Sequence, residues 1–178
     1  MSKSLLSADF NPRPDTPSGQ QVADFFFAVA KGDAKKTGDM LEIFPVLAEW
    51  NDNATKATGL IIAAKEGHLD VVSVLCAAGA DMDATDAGAM DAISYAACNG
   101  HRDVADYLID HGADAAKKGR HGISAIDCAR AADFYSFSDY LQRRMTEIYL
   151  SWNERAEVCT SGLSQPIKPM SRLTLRPK

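Results

Sequence analysis

Residues 58–86, TGLIIAAKEGHLDVVSVLCAAGADMDATD, and residues 91–116, DAISYAACNGHRDVADYLIDHGADAA, are two copies of one pattern. Ala63, Ala64, Gly67, His68, Asp70, Val71, Leu75, Gly79, Ala80 and Asp81 recur 33 positions later as Ala96, Ala97, Gly100, His101, Asp103, Val104, Leu108, Gly112, Ala113 and Asp114. Ten identities at one offset mark an internal repeat, and a period of about 20 to 50 residues decides the architecture before local propensity does. A fainter third copy follows, in which Ile126, Ala129 and Leu141 continue the Leu60, Ala63 and Leu75 series.

Each copy has a physical logic. Thr58, Asp91 and Ser124 stand at the same offset, and each carries a side-chain oxygen able to cap a helix that starts just after it. That first helix carries Leu60, Ala63 and Ala64, then Ile93, Ala96 and Ala97; the alanines let neighbouring helices approach closely. Gly67 and Gly100 stop it, because glycine takes the left-handed conformation usual past a helix C-terminus. A second helix follows, with Val71, Val72 and Leu75, then Val104 and Leu108, at helical spacing, and it ends at Gly79 and Gly112. The small, polar stretch from Ala80 to Met90 reads as a projecting turn.

A helix pair of this size cannot bury its apolar face alone, so the copies must stack. The fold class expected is all-α, a solenoid of about four helix-turn-helix repeats with degenerate terminal caps, over residues 18–152. A disordered segment, 1–17, and a flexible basic tail, 153–178, flank it. Phe137, Leu141, Met145, Ile148 and Trp152 form an apolar stripe on a closing helix whose other faces carry Arg143, Arg144 and Glu147. At the other end FFFAVAKGD, residues 25–33, loosely matches IIAAKEGH, and DMLEIFPVLAEWND, residues 39–52, reads as a divergent second helix and turn.

This pattern resembles the ankyrin repeat: a helix, a Gly-His turn, a second helix and a Gly-Ala-Asp hairpin, with GISAIDCARAADFYSFSDYL, residues 122–141, as a degenerate final copy. The family's Thr-Pro-Leu-His start appears as Thr58-Gly59-Leu60-Ile61, Asp91-Ala92-Ile93-Ser94 and Ser124-Ala125-Ile126-Asp127, without proline or histidine. Arg130 replaces a packing alanine and Asp133 the turn glycine, so the last copy reads as a modified cap. The resemblance implies a surface for partner proteins built from hairpin tips and first-helix faces. Position by position it points to Ala54, Thr55, Ala57, Lys65 and Glu66, then Ala87, Gly88, Met90, Cys98, Asn99 and His111, then Arg120, His121 and Ile123. It also makes His68 and His101 structural, bonded to backbone across the repeat boundary.

The bulk numbers narrow the function. Across 178 residues the net charge is −5, which disfavours nucleic acid and anionic membrane, since both need a basic surface. From Glu66 to Asp114 there are ten carboxylates against Arg102 alone, so that section is expected to carry a strongly negative field, while Lys117, Lys118 and Arg120 cluster on the last hairpin. No apolar run approaches the roughly 20 residues that span a bilayer, and the N-terminal stretch lacks the apolar region of a signal peptide. Cys76, Cys98, Cys128 and Cys159 are widely spaced without a CxxC pair, and read as reduced, mostly buried thiols of a cytoplasmic protein.

Catalytic and metal chemistry find little footing. Asp81, Asp83 and Asp86 approach the spacing of a calcium loop, but the sixth position is Asp86 instead of glycine and the twelfth is Ala92 instead of glutamate. No phosphate-binding loop, dinucleotide fingerprint, HExxH or GxSxG element is present. The expectation is therefore a non-catalytic adaptor without cofactor, monomeric when unbound, that binds a protein. The alternatives are an inhibitor or immunity protein blocking a toxin or enzyme, and a regulatory accessory subunit of a larger enzyme complex. The basic tail, SGLSQPIKPMSRLTLRPK, is left open between plain disorder, a lid over the acidic repeats and a docking strand.

Overall fold

The computed structural model describes residues 16–119 and 121–160, with side chains through Trp152. Among these residues eight α-helices follow in order: α1 (Gly19–Lys31), α2 (Ala34–Ile43), α3 (Gly59–Glu66), α4 (Leu69–Ala77), α5 (Ala92–Cys98), α6 (Arg102–Asp110), α7 (Ala125–Ala131) and α8 (Tyr135–Thr160). A single 3-10 turn, Pro45–Ala48, follows α2. The helices form four pairs. α1, α3, α5 and α7 pack side by side as an inner row, α2, α4 and α6 as an outer row, and α8 closes the stack against α7.

The caps lie where the side-chain oxygens fall. Thr58 Oγ1 accepts from the Ile61 N–H at 3.4 Å, and the Asp91 carboxylate from the Ser94 N–H at 2.9 Å. Ser124 Oγ accepts from the Asp127 N–H at 3.2 Å, and the Asp127 carboxylate accepts in return from the Ser124 N–H at 3.1 Å. Each such cap contributes about 0.5 to 2 kcal/mol. Ala63, Ala64, Ala96 and Ala97 are fully buried between neighbouring inner helices. Arg130 is exposed at the position equivalent to Ala64 and Ala97, because no inner helix follows α7, and it pairs with Asp127 at 3.8 Å.

The two histidines lock the repeats together. His101 Nε2 donates to the Lys65 carbonyl at 3.0 Å and His68 Nε2 to the Ala30 carbonyl at 3.1 Å, since a carbonyl can only accept. Gly67 has φ +78°, and a Cβ there would sit 2.5 Å from the His101 ring, so both its backbone and its missing side chain are required. In the last copy Phe134 holds the histidine position and lays its ring over Gly100. Asp133, in the glycine slot, is left-handed at φ 64°.

The turns between pairs are hairpins with isolated bridges, Asn51 to Thr58 and Thr85 to Asp91. Lys56, Ala89 and Gly122 repeat at one offset with φ of 59°, 60° and 73°, and turn each tip. Ala87 N–H donates to the Thr55 carbonyl at 2.8 Å, which ties one tip to the next.

The closing helix departs from expectation. Phe137, Leu141 and Met145 are buried and Ile148 half-buried, but Trp152 is 64% exposed and does not complete the stripe. The cause is length: α8 has 26 residues against nine in α6, so its apolar side outruns what it packs on. The expected domain boundary at residue 152 falls inside α8, which runs to Thr160. Residues 1–15 and 161–178, expected to be disordered or flexible, lie outside the described residues.

The expected negative field is also partly answered within the chain. Tyr140 donates to Asp106 at 2.8 Å, Arg144 to Asp110 at 2.6 Å and Tyr149 to Asp114 at 2.7 Å, so α8 is fastened along the carboxylates of α6 and the turn after it. The Arg102 guanidinium lies 3.7 Å from the Tyr140 ring centroid. Lys117 pairs with Asp83 of the preceding hairpin, so the basic cluster on the last hairpin is in part already used.

Leu108 is fully buried, and Leu108→Ala is expected to cost about 2 to 5 kcal/mol in urea unfolding. Ser138 is fully buried with an unpartnered Oγ, at the position equivalent to the buried Ala105. Ser138→Ala is expected to raise stability, by roughly 1 kcal/mol, because it removes a desolvated hydroxyl without opening a large void.

Candidate functional site

The inner helices and hairpins form one face, and Tyr95 stands at its middle. It is half-buried on α5, and its hydroxyl donates to the Asp86 carboxylate at 2.7 Å. The same carboxylate accepts from the Met90 N–H at 2.9 Å, so one acid fixes both the hairpin and the ring. The Lys65 ammonium, from the last turn of α3, lies 5.9 Å from the ring centroid, and the Asn99 amide donates to the Tyr95 carbonyl at 3.0 Å. The hydrogen bond to Asp86, helped by burial, pushes the Tyr95 phenol up to about 12.

The candidates divide by place. Lys65, Glu66 and Asn99 are exposed around Tyr95, and His121 and Ile123 are exposed on the third hairpin. Thr55 is exposed on the first hairpin but occupied with holding it, since its N–H and hydroxyl both donate to Asp52, at 2.9 and 2.8 Å. Those two bonds lower the Asp52 pKa. Met90 is half-buried against the core instead of projecting from a tip, and Ala57 is buried. His111 belongs elsewhere: it follows the outer helix α6, stacks on Tyr107 at 4.0 Å and bonds the Tyr107 carbonyl at 2.8 Å. Arg120 lies outside the described residues. Tyr95 itself was not among the sequence candidates. The signal was an aromatic at a position where the flanking copies carry Ile62 and Cys128.

Two of the thiols, Cys76 and Cys128, are held protonated. Burial raises Cys76 to about 11, and burial together with the neighbouring Cys98 thiol and the Asp91 and Asp127 charges raises Cys128 to about 12. Two open hollows, of about 450 and 390 Å³, lie along the exposed side of α8 and between the first two hairpins. Their linings are surface polar groups such as Gln142, Arg143, Lys56 and Thr85, with no nucleophile set beside a base. Among the described residues no three His, Cys, Asp or Glu side chains are grouped to hold a metal ion. No helix among them is long and apolar enough to cross a membrane.

Comparison with known proteins agrees with the helix pairs, the histidine locks and the hairpins. The family model for ankyrin repeats in three copies matches residues 25–119, more than half of the chain, and this chain belongs to the ankyrin-repeat family. Ankyrin repeats are protein-interaction modules, and a protein partner is the class of ligand they define. None of the curated proteins compared with the sequence matches it. Among solved structures, a chain in the crystal structure of the yeast ribosomal protein Rps3 in complex with its chaperone Yar1 aligns with TM-score 0.66 at 20% identity, covering 72% of this chain and 95% of that one. With 411 chains of known structure matching, such a likeness speaks to fold alone.

Two measurements check these environments. A phenol raised to about 12, against about 10 when unfolded, favours the fold fully below pH 10 and loses that contribution as pH rises through 12. Tyrosinate absorbance should therefore show Tyr95 ionising late, and Asp86→Asn should shift it earlier. For the thiols, alkylation at neutral pH followed by mass spectrometry should find Cys76 slower than free cysteine by about a hundredfold or more.

Proposed function

We propose that this chain is a non-catalytic adaptor that binds a partner protein through the inner-helix and hairpin face, with Tyr95 as its anchor. The observation that carries the reading is the setting of Tyr95: a half-buried aromatic held by Asp86, approached by Lys65, and surrounded by exposed side chains that the core does not use. Rigid aromatic anchors with a polar rim dominate the binding energy of protein interfaces, because little side-chain entropy remains to be lost. Lys65, Glu66 and Asn99 form that rim on the helices, and Thr55 and His121 extend it along the hairpins, with the half-buried Met90 packed beneath.

Of the ten carboxylates from Glu66 to Asp114, four lie on the outer helices α4 and α6, and the others on α3, the second hairpin and the turn after α6. Asp70 and Asp103 sit on α4 and α6, and Asp106, Asp110 and Asp114 engage α8. The net charge of −5 disfavours nucleic acid as the ligand. The complex of Rps3 with its chaperone Yar1 supports the reading to the extent that a chain of similar fold takes part there in a two-protein assembly. Cys76, Cys98 and Cys128 are free thiols set in helices, which fits a reducing compartment; we read the protein as cytoplasmic and as a monomer when unbound.

Affinity capture from the native host, with wild type and a Tyr95→Ala/Asn99→Arg variant side by side, tests this. A partner retained by wild type and by the outer-face variant Asp70→Arg/Asp103→Arg, but weakened at least about tenfold by the first, is the expected outcome, since loss of an anchor of this kind costs about 2 kcal/mol or more. Equal weakening by the outer-face pair would place the interface on the other side of the stack.

A further inference from the structure

The closing helix leaves part of its apolar side uncovered. Along α8, Phe137, Leu141 and Met145 are buried and Ile148 is half-buried, and the same side continues through Tyr149 and Trp152, which are 48% and 64% exposed. Met145, Ile148, Tyr149 and Trp152 fall within about 100° of one another around the helix, so they form one surface. Tyr149 is fixed in place, its hydroxyl on Asp114 at 2.7 Å, which holds this part of the helix beside the turn that follows α6. An indole set in water on a fixed helix next to other apolar groups is a surface awaiting cover.

We propose that residues 161–178 fold back along α8 and cover Trp152, with Ile167 and Met170 as the apolar contacts. Reach supports this occupant. α8 ends at Thr160, eight residues or about 12 Å of helix rise beyond Trp152. About four extended residues span the same distance in return, which brings the stretch from Gln165 to Met170 level with Trp152. Composition supports it as well. SGLSQPIKPMSRLTLRPK supplies Leu163, Ile167 and Met170 for the indole, and its Lys168, Arg172, Arg176 and Lys178 come with no acid of its own. On the α6 side of this surface stand Asp114, which holds the Tyr149 hydroxyl, and Asp110, which pairs with Arg144, so a basic segment meets carboxylates there. Methionine suits such a cover, because its flexible thioether adapts to an aromatic face.

Hydroxyl-radical footprinting of the full chain, read peptide by peptide by mass spectrometry, tests the proposal, with Ile167→Asp/Met170→Asp as the comparison. Both substitutions lie outside the stacked helices, and a thermal melt confirms that the stack is intact. The expected result is that Trp152 in the wild type is protected to the same degree at low and high protein concentration. In the variant its oxidation rate rises about threefold, as for a contact closed about two-thirds of the time. Trp152 oxidising equally fast in both proteins overturns the proposal. So does protection that disappears on dilution, which assigns the surface to a second copy of the chain.

Discussion

Ala63, Ala64, Ala96 and Ala97 are fully buried where α3, α5 and α7 lie side by side, and only a methyl group separates the helices at those points. That close approach is the constraint on which the remaining structure depends. It allows His68 and His101 to reach the carbonyls of the preceding repeat, at 3.1 and 3.0 Å, and it brings one hairpin near enough to the next for Ala87 to bond Thr55. A larger side chain at any of the four alanines would separate the rows and break both kinds of cross-repeat bond together. Where the stack ends, the constraint lifts, and Arg130 takes the place of an alanine at no cost in packing.

The same geometry divides the surface by chemistry. Inner helices and hairpins present Tyr95 with Lys65, Glu66 and Asn99 around it, a compact set of aromatic and polar groups. The outer helices carry Asp70, Asp103, Asp106 and Asp110, while Asp81, Asp83, Asp86 and Asp91 belong to the second hairpin. Part of that acidity is internal business: Asp106, Asp110 and Asp114 hold α8 through Tyr140, Arg144 and Tyr149. Exposed pairs of this kind contribute little singly, but three in line fix the direction of a helix that otherwise touches the stack along one side only.

The closing helix gives this ankyrin-repeat chain its individuality. A repeat array needs an end that tolerates water, and the last pair supplies one by replacing each interior device in turn: Arg130 for the buried alanine, Phe134 for the bonding histidine, Asp133 for the left-handed glycine. Ser138 is the exception, a hydroxyl buried without a partner where the preceding repeat has Ala105.

How much was legible beforehand follows from the range of the forces involved. The helix caps at Thr58, Asp91 and Ser124, the glycine stops, the buried leucines and the modified last copy were all readable, because caps, turns and repeat periodicity are local and recur at a fixed offset. Tyr95 as the centre of a face was not, because its importance depends on the hairpin before α5 folding Asp86 back onto the ring and on Lys65 arriving from the neighbouring helix α3. Nor was the exposure of Trp152, since the helical spacing of a stripe says which side is apolar but not how far the neighbouring helices extend to cover it. The partners of the acidic run were not legible for the same reason: a list of carboxylates carries their charge but not what they bond, and Tyr140, Arg144 and Tyr149 lie 34 or 35 residues away along the chain. The sequence by itself determined the repeat, its helices and its caps; the tertiary structure alone decided which side chains share a face, because only stacking brings residues a repeat apart within reach of one another.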